Sequence, residues 1–293
     1  MFKLFLSCAV FTSLLATIPT YEKCFLQGEA KLRDSELFKA AYEKSHFDRV
    51  VPSENPRIPK IIHHIWVGGP LPSVFQKYID SWKKHHPDWE HRLWTDDDVK
   101  DFEFVTGQAY FRCQNPGHKA DILRYEILNK IGGLYVDTDF LCIKPHDKLH
   151  HACDFYTGMG ANQIYIGIIG SAPCHPIIKK CLDRIKNKNG FYNSGQKIAS
   201  NTGPFLFTNS VREFLEAGNE GAIVYPPRYY YLFPAMLRYR FWNNHENLRL
   251  VRPYITPDTL AVHLWAVSWH KSAPSRRKIK HSRRTQAVLA GAS

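Results

Sequence analysis

The chain has no pair of closely spaced cysteines. Its seven, Cys8, Cys24, Cys113, Cys142, Cys153, Cys174 and Cys181, stand apart, so nothing in their spacing reads as a zinc ligand set. At 293 residues the chain can bury a large core without a disulfide framework, although one or two bridges are compatible with an exported protein. There is no internal repeat and no low-complexity tract, which excludes solenoids and compositional linkers. Helix-turn-helix, zinc-finger and aromatic-basic sheet patterns are missing too, so nucleic acid is a poor fit as partner. The apolar run at the N-terminus, Met1 to Ile18, is shorter than the roughly 20 residues that span a bilayer. With one early Lys3 it reads as a signal-peptide core, yet it has no clean small-x-small cleavage site, so an uncleaved signal anchor stays open.

What is present is a globular composition, 44% hydrophobic and 14% aromatic, carrying a formal net charge of +12. That excess favours an anionic partner such as nucleotide phosphates or an acidic membrane surface. Much of it is local to Arg276, Arg277, Lys278, Lys280, Arg283 and Arg284, a run without apolar periodicity that reads first as a solvated tail and second as a membrane-surface contact. The organisation expected is a signal segment or short anchor over 1–20, a polar, partly helical lead-in over 21–57, a catalytic domain over 58–270 and the basic tail over 271–293.

Within the catalytic stretch the pattern alternates. Ile58 to Gly69 reads as a buried strand closed by a Gly-Gly turn, Ser73 to His85 as a helix with Phe75, Tyr78, Ile79 and Trp82 on one face, and His91 to Thr95 as a second strand. Asp96, Asp97 and Asp98 then serve as cap and first-turn acids of the next helix. Lys119 to Ile131 is an amphipathic helix, stopped by Gly132-Gly133 and followed by a strand through Leu134, Tyr135 and Val136. Later come a strand over Ile164–Ile169, helices from Pro176 and from Pro204, a loop or edge rich in Pro and Tyr from Pro226, and a late strand near Val262. Strands alternating with helices predict an α/β fold with a mostly parallel twisted sheet flanked by helices.

Asp137 and Asp139 fall where the apolar strand should continue, at the carboxyl end where open α/β sheets bind ligands. Two acids two residues apart suit one hard divalent cation, Mn²⁺ or Mg²⁺, that also meets substrate phosphates. General acid–base work and a phosphoryl-accepting aspartate are the alternatives. The latter expects Thr or Val two residues past the second acid, where this chain has Leu141. Asp121 and Arg124, three apart, share a face of the preceding helix, either as a surface ion pair or as part of the same site. His263 is a candidate third metal ligand, because imidazole suits Mn²⁺ better than Mg²⁺.

Five ordered segments together carry a resemblance. Ile58-Pro-Lys-Ile-Ile-His-His-Ile-Trp66-Val-Gly-Gly69, Lys119-Ala-Asp121-Ile-Leu-Arg124-Tyr, Gly132-Gly-Leu-Tyr135-Val-Asp137-Thr-Asp139, Thr202-Gly203-Pro204 and His263-Leu-Trp-Ala-Val-Ser268-Trp269 resemble the glycosyltransferase family 32 pattern across most of the chain. The resemblance implies a GT-A-type nucleotide-sugar-binding fold and a metal-dependent, retaining transfer of a hexose from GDP-mannose or a UDP-sugar to a glycan, lipid or protein acceptor. It implies that Asp137 and Asp139 hold the metal and diphosphate, that Trp66 stacks on the nucleobase, and that Asp121 and Arg124 hold the donor's ribose or sugar. Tyr135 would line the donor site, while His263 and Trp269 would close over the diphosphate. Trp265 is expected to be core packing. A non-catalytic sugar- or nucleotide-binding protein on the same fold, and a toxin-like transferase acting on a protein, remain the alternatives. The expected location is the secretory pathway or cell envelope, exported or membrane-associated.

Overall fold

A computed structural model describes residues 21, 35–49, 55–160, 163–187, 195–233 and 251–266. The apolar N-terminus, Trp269, the basic tail and most of the segment after Phe233 lie outside the described residues. The elements in chain order are α1 (Ser35–Ser45), β1 (Ile61–Ile65), α2 (Ser73–His85), β2 (Glu90–Trp94), α3 (Asp96–Val99), α4 (Gly107–Arg112), α5 (Pro116–Lys130), β3 (Gly133–Val136), β4 (Phe140–Cys142) and α6 (Asp147–Ala152). They continue with β5 (Phe155–Met159), β6 (Ile164–Ser171), α7 (Pro176–Lys186), α8 (Gly195–Asn201), α9 (Pro204–Glu216), β7 (Ala222–Tyr225), α10 (Pro227–Tyr230) and β8 (Ala261–His263).

Six strands form one sheet in the order β2-β1-β3-β6-β5-β7, and β4 pairs with β8 in a separate two-stranded ladder. β1 runs parallel to β2 and β3, and β5 parallel to β7, while β6 is antiparallel to both neighbours. The sheet is thus mostly parallel and flanked by helices, as the alternation predicts. Parallel pairing of Ile62 with Leu134 and His63 with Tyr135 brings the ends of β1 and β3 to the same edge.

α2 has the predicted bounds and buries the predicted stripe, Phe75, Tyr78, Ile79 and Trp82. The three aspartates lie at the start of α3. The Asp98 carboxylate accepts from the Thr95 backbone N–H at 2.8 Å and the Thr95 hydroxyl at 2.6 Å, which closes a capping box. α5 begins where Asn115 accepts from the Gly117 and His118 N–H groups and Pro116 takes the first turn. It ends at Gly132 (φ 71) and Gly133 (φ 99), left-handed positions that glycine adopts without strain. A Cβ on Gly133 would meet the Ile61 carbonyl at 2.7 Å, so close strand pairing requires glycine as well as the turn.

Two expectations need correction. α5 is not amphipathic: every residue from Asp121 to Leu128 is buried, because the helix packs on β1 and β3 and also against α4 and α7. The stretch from Pro226 is not an edge. Its Tyr229, Tyr230, Tyr231, Leu232 and Phe233 all lie in the core, and the Tyr229 hydroxyl meets that of Tyr42 at 2.7 Å. Through Tyr42 and Phe38, α1 packs on β7 and joins the same core.

Candidate active site

β3 delivers the chain to the site and then turns. The Asp137 N–H donates to the Gly167 carbonyl on β6 at 2.8 Å, and the Phe140 N–H returns to the Asp137 carbonyl at 3.2 Å. The two acids are therefore gathered by a turn, not by the side-chain alternation of an extended strand. Past the turn, β4 pairs antiparallel with β8, placing Phe140 opposite His263. That ladder brings a residue 124 positions on in the sequence against the acids: His263 Nε2 lies 3.1 Å from Asp139 Oδ1 and 4.0 Å from Asp137 Oδ2.

The carboxylates are held from behind. Asp139 accepts the Ala266 N–H on Oδ2 at 2.7 Å, and its backbone carbonyl accepts the Leu264 N–H at 3.1 Å. Burial pushes the Asp139 carboxyl up, but His263 and the donated N–H outweigh it and hold the group below the usual carboxylate range. Asp137 accepts on Oδ1 from the Tyr135 hydroxyl at 2.5 Å and from Arg124 at 3.2 Å, while Oδ2 lies on the side of His263 and of Gly167. A Cβ at Gly167 would sit 2.8 Å from that oxygen, so only glycine leaves the carboxylate its place.

Arg124 is buried and nearly saturated. Its guanidinium donates to the Ala120 and Ile166 carbonyls, to Asp137 Oδ1 and to Asp121 Oδ1, four of its five N–H groups by type of site. Its plane also lies over the Tyr135 ring at 4.5 Å. Asp121 accepts from the Thr202 hydroxyl at 3.2 Å on its other oxygen. Burial raises the Asp121 carboxyl to about 6, against the Arg124 charge and with help from the Asp137 charge. The sequence placed Asp121 with Arg124, and the structure joins both to Asp137 in one buried chain of partners.

Trp66 sits just beyond β1, half-buried, its ring leaning on Phe75 at 5.0 Å and its N–H on the Pro70 carbonyl at 3.0 Å. Tyr135 is buried beneath Asp137. Trp265 packs in the core against His263, Tyr231 and Tyr165, with the positive φ of 57 that lets the chain turn after β8. Trp269 lies outside the described residues. Sequence reasoning missed Thr202 as a partner of Asp121, because its Gly-Pro neighbours read simply as a helix start. It also missed Gly167, although a glycine inside an apolar strand is a known sign of close backbone approach. Tyr231, whose buried hydroxyl has no partner among the described residues, gave no local signal.

One oxygen each of Asp137 and Asp139 and one nitrogen of His263 lie within 4.8 Å of one another. Neighbouring ligands on an octahedron with bonds of about 2.1–2.2 Å are about 3 Å apart, which the Asp139–His263 separation matches. The donor set fits a hard or borderline divalent cation. A groove of about 920 Å³ on α7 and α9 contains none of these residues, and its Lys180 and Arg184 are paired with Glu213.

A family pattern described as "Glycosyltransferase sugar-binding region containing DXD motif" matches residues 72–156, the stretch that holds Asp121, Arg124, Asp137 and Asp139. The chain is 28% identical over 227 residues to "Uncharacterized glycosyltransferase L373" of Acanthamoeba polyphaga mimivirus, which covers 72% of this chain and 84% of that protein. It is 31% identical over 134 residues to inositol phosphoceramide mannosyltransferase 3 of Schizosaccharomyces pombe, covering 44% of this chain and only 37% of that protein. Among solved structures, the catalytic domain of alpha-toxin from Clostridium novyi aligns with 88% of this chain and 86% of its own, at 11% identity and a TM-score of 0.48. Sugar transfer is the chemistry of this chain: it is a glycosyltransferase on an α/β fold with a central sheet flanked by helices. Over residues 72–156 it is similar to the DXD-containing sugar-binding region of glycosyltransferases, proteins that generally use a divalent metal and a nucleotide sugar.

Proposed function

We propose that the chain is a retaining hexosyltransferase that uses Mn²⁺, draws on GDP-mannose or, second, a UDP-sugar, and passes the sugar to a glycan, lipid or protein acceptor. The observation that carries this reading is the convergence of Asp137, Asp139 and His263 within 4.8 Å, with an imidazole that favours Mn²⁺ over Mg²⁺. The mannosyltransferase names of several relatives favour a mannose donor.

A bound cation would offset the charge that grows on the departing diphosphate, more in the transition state than in the ground state. The protein's own part is to keep the acids fixed. Tyr135 and Arg124 hold one oxygen of Asp137 and leave the other facing His263. Ala266 orients Asp139 in the same way. In this reading Arg124 braces Asp137 and has one N–H left for the donor, Asp121 contributes carboxylate lone pairs to ribose or sugar, Trp66 stacks on the base and Trp269 closes over the diphosphate. No carboxylate stands as an evident nucleophile, so departure and attack on the same face, with the leaving phosphate as base, replace a double displacement. A trapped covalent sugar–protein adduct during turnover would refute that step.

The proposed place of action is the secretory pathway or the cell envelope, as an exported or membrane-associated protein. It rests on the apolar N-terminal run; among the described residues no helix is long and apolar enough to cross a membrane. The test of the whole reading is a screen of nucleotide sugars for donor hydrolysis with and without Mn²⁺. Hydrolysis of one donor that needs Mn²⁺ and vanishes in a folded Asp139→Ala variant supports it. Nucleotide-sugar binding without turnover in the wild type would favour the non-catalytic alternative.

A further inference from the structure

We infer that His86, Cys142 and His146 form a second metal site, separate from the acid cluster, which takes Zn²⁺. Cys142 and His146 stand four apart, but His86 lies 56 residues before Cys142, so no local spacing gathers the three. They meet because α2 packs on β4: the Cys142 N–H donates to the Ser81 hydroxyl at 2.9 Å, and the Trp82 indole N–H to the Phe140 carbonyl at 3.0 Å. His86 closes the C-terminal end of α2, Cys142 is the last residue of β4, and His146 precedes α6. One ligand atom from each lies within 4.8 Å of the others.

The second observation is His146 itself. It is fully buried, and among the described residues neither ring nitrogen has a hydrogen-bond partner of ordinary geometry. The ring, closed in by Trp82, His86 and Tyr230, has only a loose backbone interaction with Lys144, a poorly compensated burial that a bound ion would relieve. The chemistry of the set selects the ligand: a thiolate and two imidazoles suit Zn²⁺, whereas Mn²⁺ and Mg²⁺ prefer oxygens. His86 has Nδ1–H on the Trp82 carbonyl at 3.1 Å and accepts the His146 N–H on Nε2 at 2.9 Å. Coordination through Nε2 gives up that second bond, while the Nδ1–H bond remains to orient the ring, as it does for most metal-bound histidines. The Cys142 thiol, which donates to the Lys144 carbonyl at 3.3 Å, gives up its bond as well, and losing these two is small beside the binding free energy of a thiolate–imidazole zinc site. Cys142 gives up its thiol proton to solvent as the sulfur–metal bond forms. The ion would tie α2, β4 and α6 together directly behind the ladder that holds His263.

The full chain, purified without added zinc and then washed with a mild chelator, is expected to retain one zinc per chain by mass spectrometry. Replacement of that ion with Co²⁺ is expected to give a thiolate-to-metal charge-transfer band, which Asp137, Asp139 and His263 cannot produce. The band should disappear in Cys142→Ser and weaken in His146→Asn, and should persist in Asp139→Asn. If either site variant fails to fold, the wild-type zinc content and band decide alone. A folded wild-type chain that takes up no zinc on incubation and gives no band overturns the proposal, and means that the pocket is filled by water.

Discussion

Two buried regions of this molecule treat polar side chains in opposite ways. Around Arg124 the charges are kept and paired: Asp121, Arg124 and Asp137 form a continuous chain closed by the Thr202 and Tyr135 hydroxyls. In the histidine layer on β1 and between α2 and α6, charge is discarded instead. His63, His64, His86 and His150 are each fixed as neutral tautomers by neighbouring carbonyls and donors. Burial lowers them to about 4, 3, 4 and 3 respectively. Ionised groups survive burial where charged partners and donors surround them, whereas these imidazoles, held mainly by carbonyls, stay neutral by giving up the proton.

The comparison can be broken most severely at the acids. Asp139→Ala is expected to lower metal-dependent donor turnover roughly 100- to 1000-fold, read by initial-rate assays at saturating Mn²⁺ with circular dichroism as the folding control. Next in size, Arg124→Met should destabilise the fold by about 3–5 kcal/mol in urea titration, because it leaves a buried carboxylate unpaired. Adding Asp121→Leu to that variant should recover part of the loss, whereas two independent defects would simply add.

Acid should act on the other region. A histidine with lowered native pKa is neutral in both states above about 6.5. As pH falls from there towards 4 or 3 the unfolded chain binds protons that the native one refuses, so stability drops. Unfolding midpoints should fall between pH 7 and pH 5, on the order of 1 kcal/mol for each buried histidine. Asp121, raised to about 6, opposes this by taking up a proton in the native state first, but it is one group against four. A midpoint that is flat across this range would show that the layer is not neutral. Smaller still, Thr202→Val should cost about 0.5–1.5 kcal/mol through the lost hydroxyl, and Thr202→Ser should not. Asn115→Ala should cost about 1 kcal/mol as a lost cap of α5.

Much of the local structure was legible in the sequence. The bounds and buried stripe of α2 follow from apolar spacing, and Gly132-Gly133 mark the end of α5, whose start, expected at Lys119, lies at Pro116. The acidic pair stood out because carboxylates interrupted an apolar strand. β5 and β7 were not legible, since Phe155–Met159 and Ala222–Tyr225 are short runs without a period that separates strand from helix. The burial of α5 on all faces was hidden for a related reason: its polar residues read as a solvent face, whereas Asp121, Arg124 and Glu126 are satisfied inside. Glu126 accepts the Val105 and Thr106 N–H groups and the Thr106 hydroxyl, and so anchors the loop before α4.

By itself the sequence determined the α/β class, the helix and strand that lead into the site, and the residue types able to hold a cation. These depend on periodicity, on capping and on the chemistry of single side chains, all of which act over a few residues. Only the tertiary structure decided that Asp137 and Asp139 meet in a turn, that the β4–β8 ladder sets His263 3.1 Å from Asp139, and that Thr202 completes the partners of Asp121. Those contacts join residues far apart in the chain, and their geometry is fixed by sheet register and core packing, which no local pattern encodes.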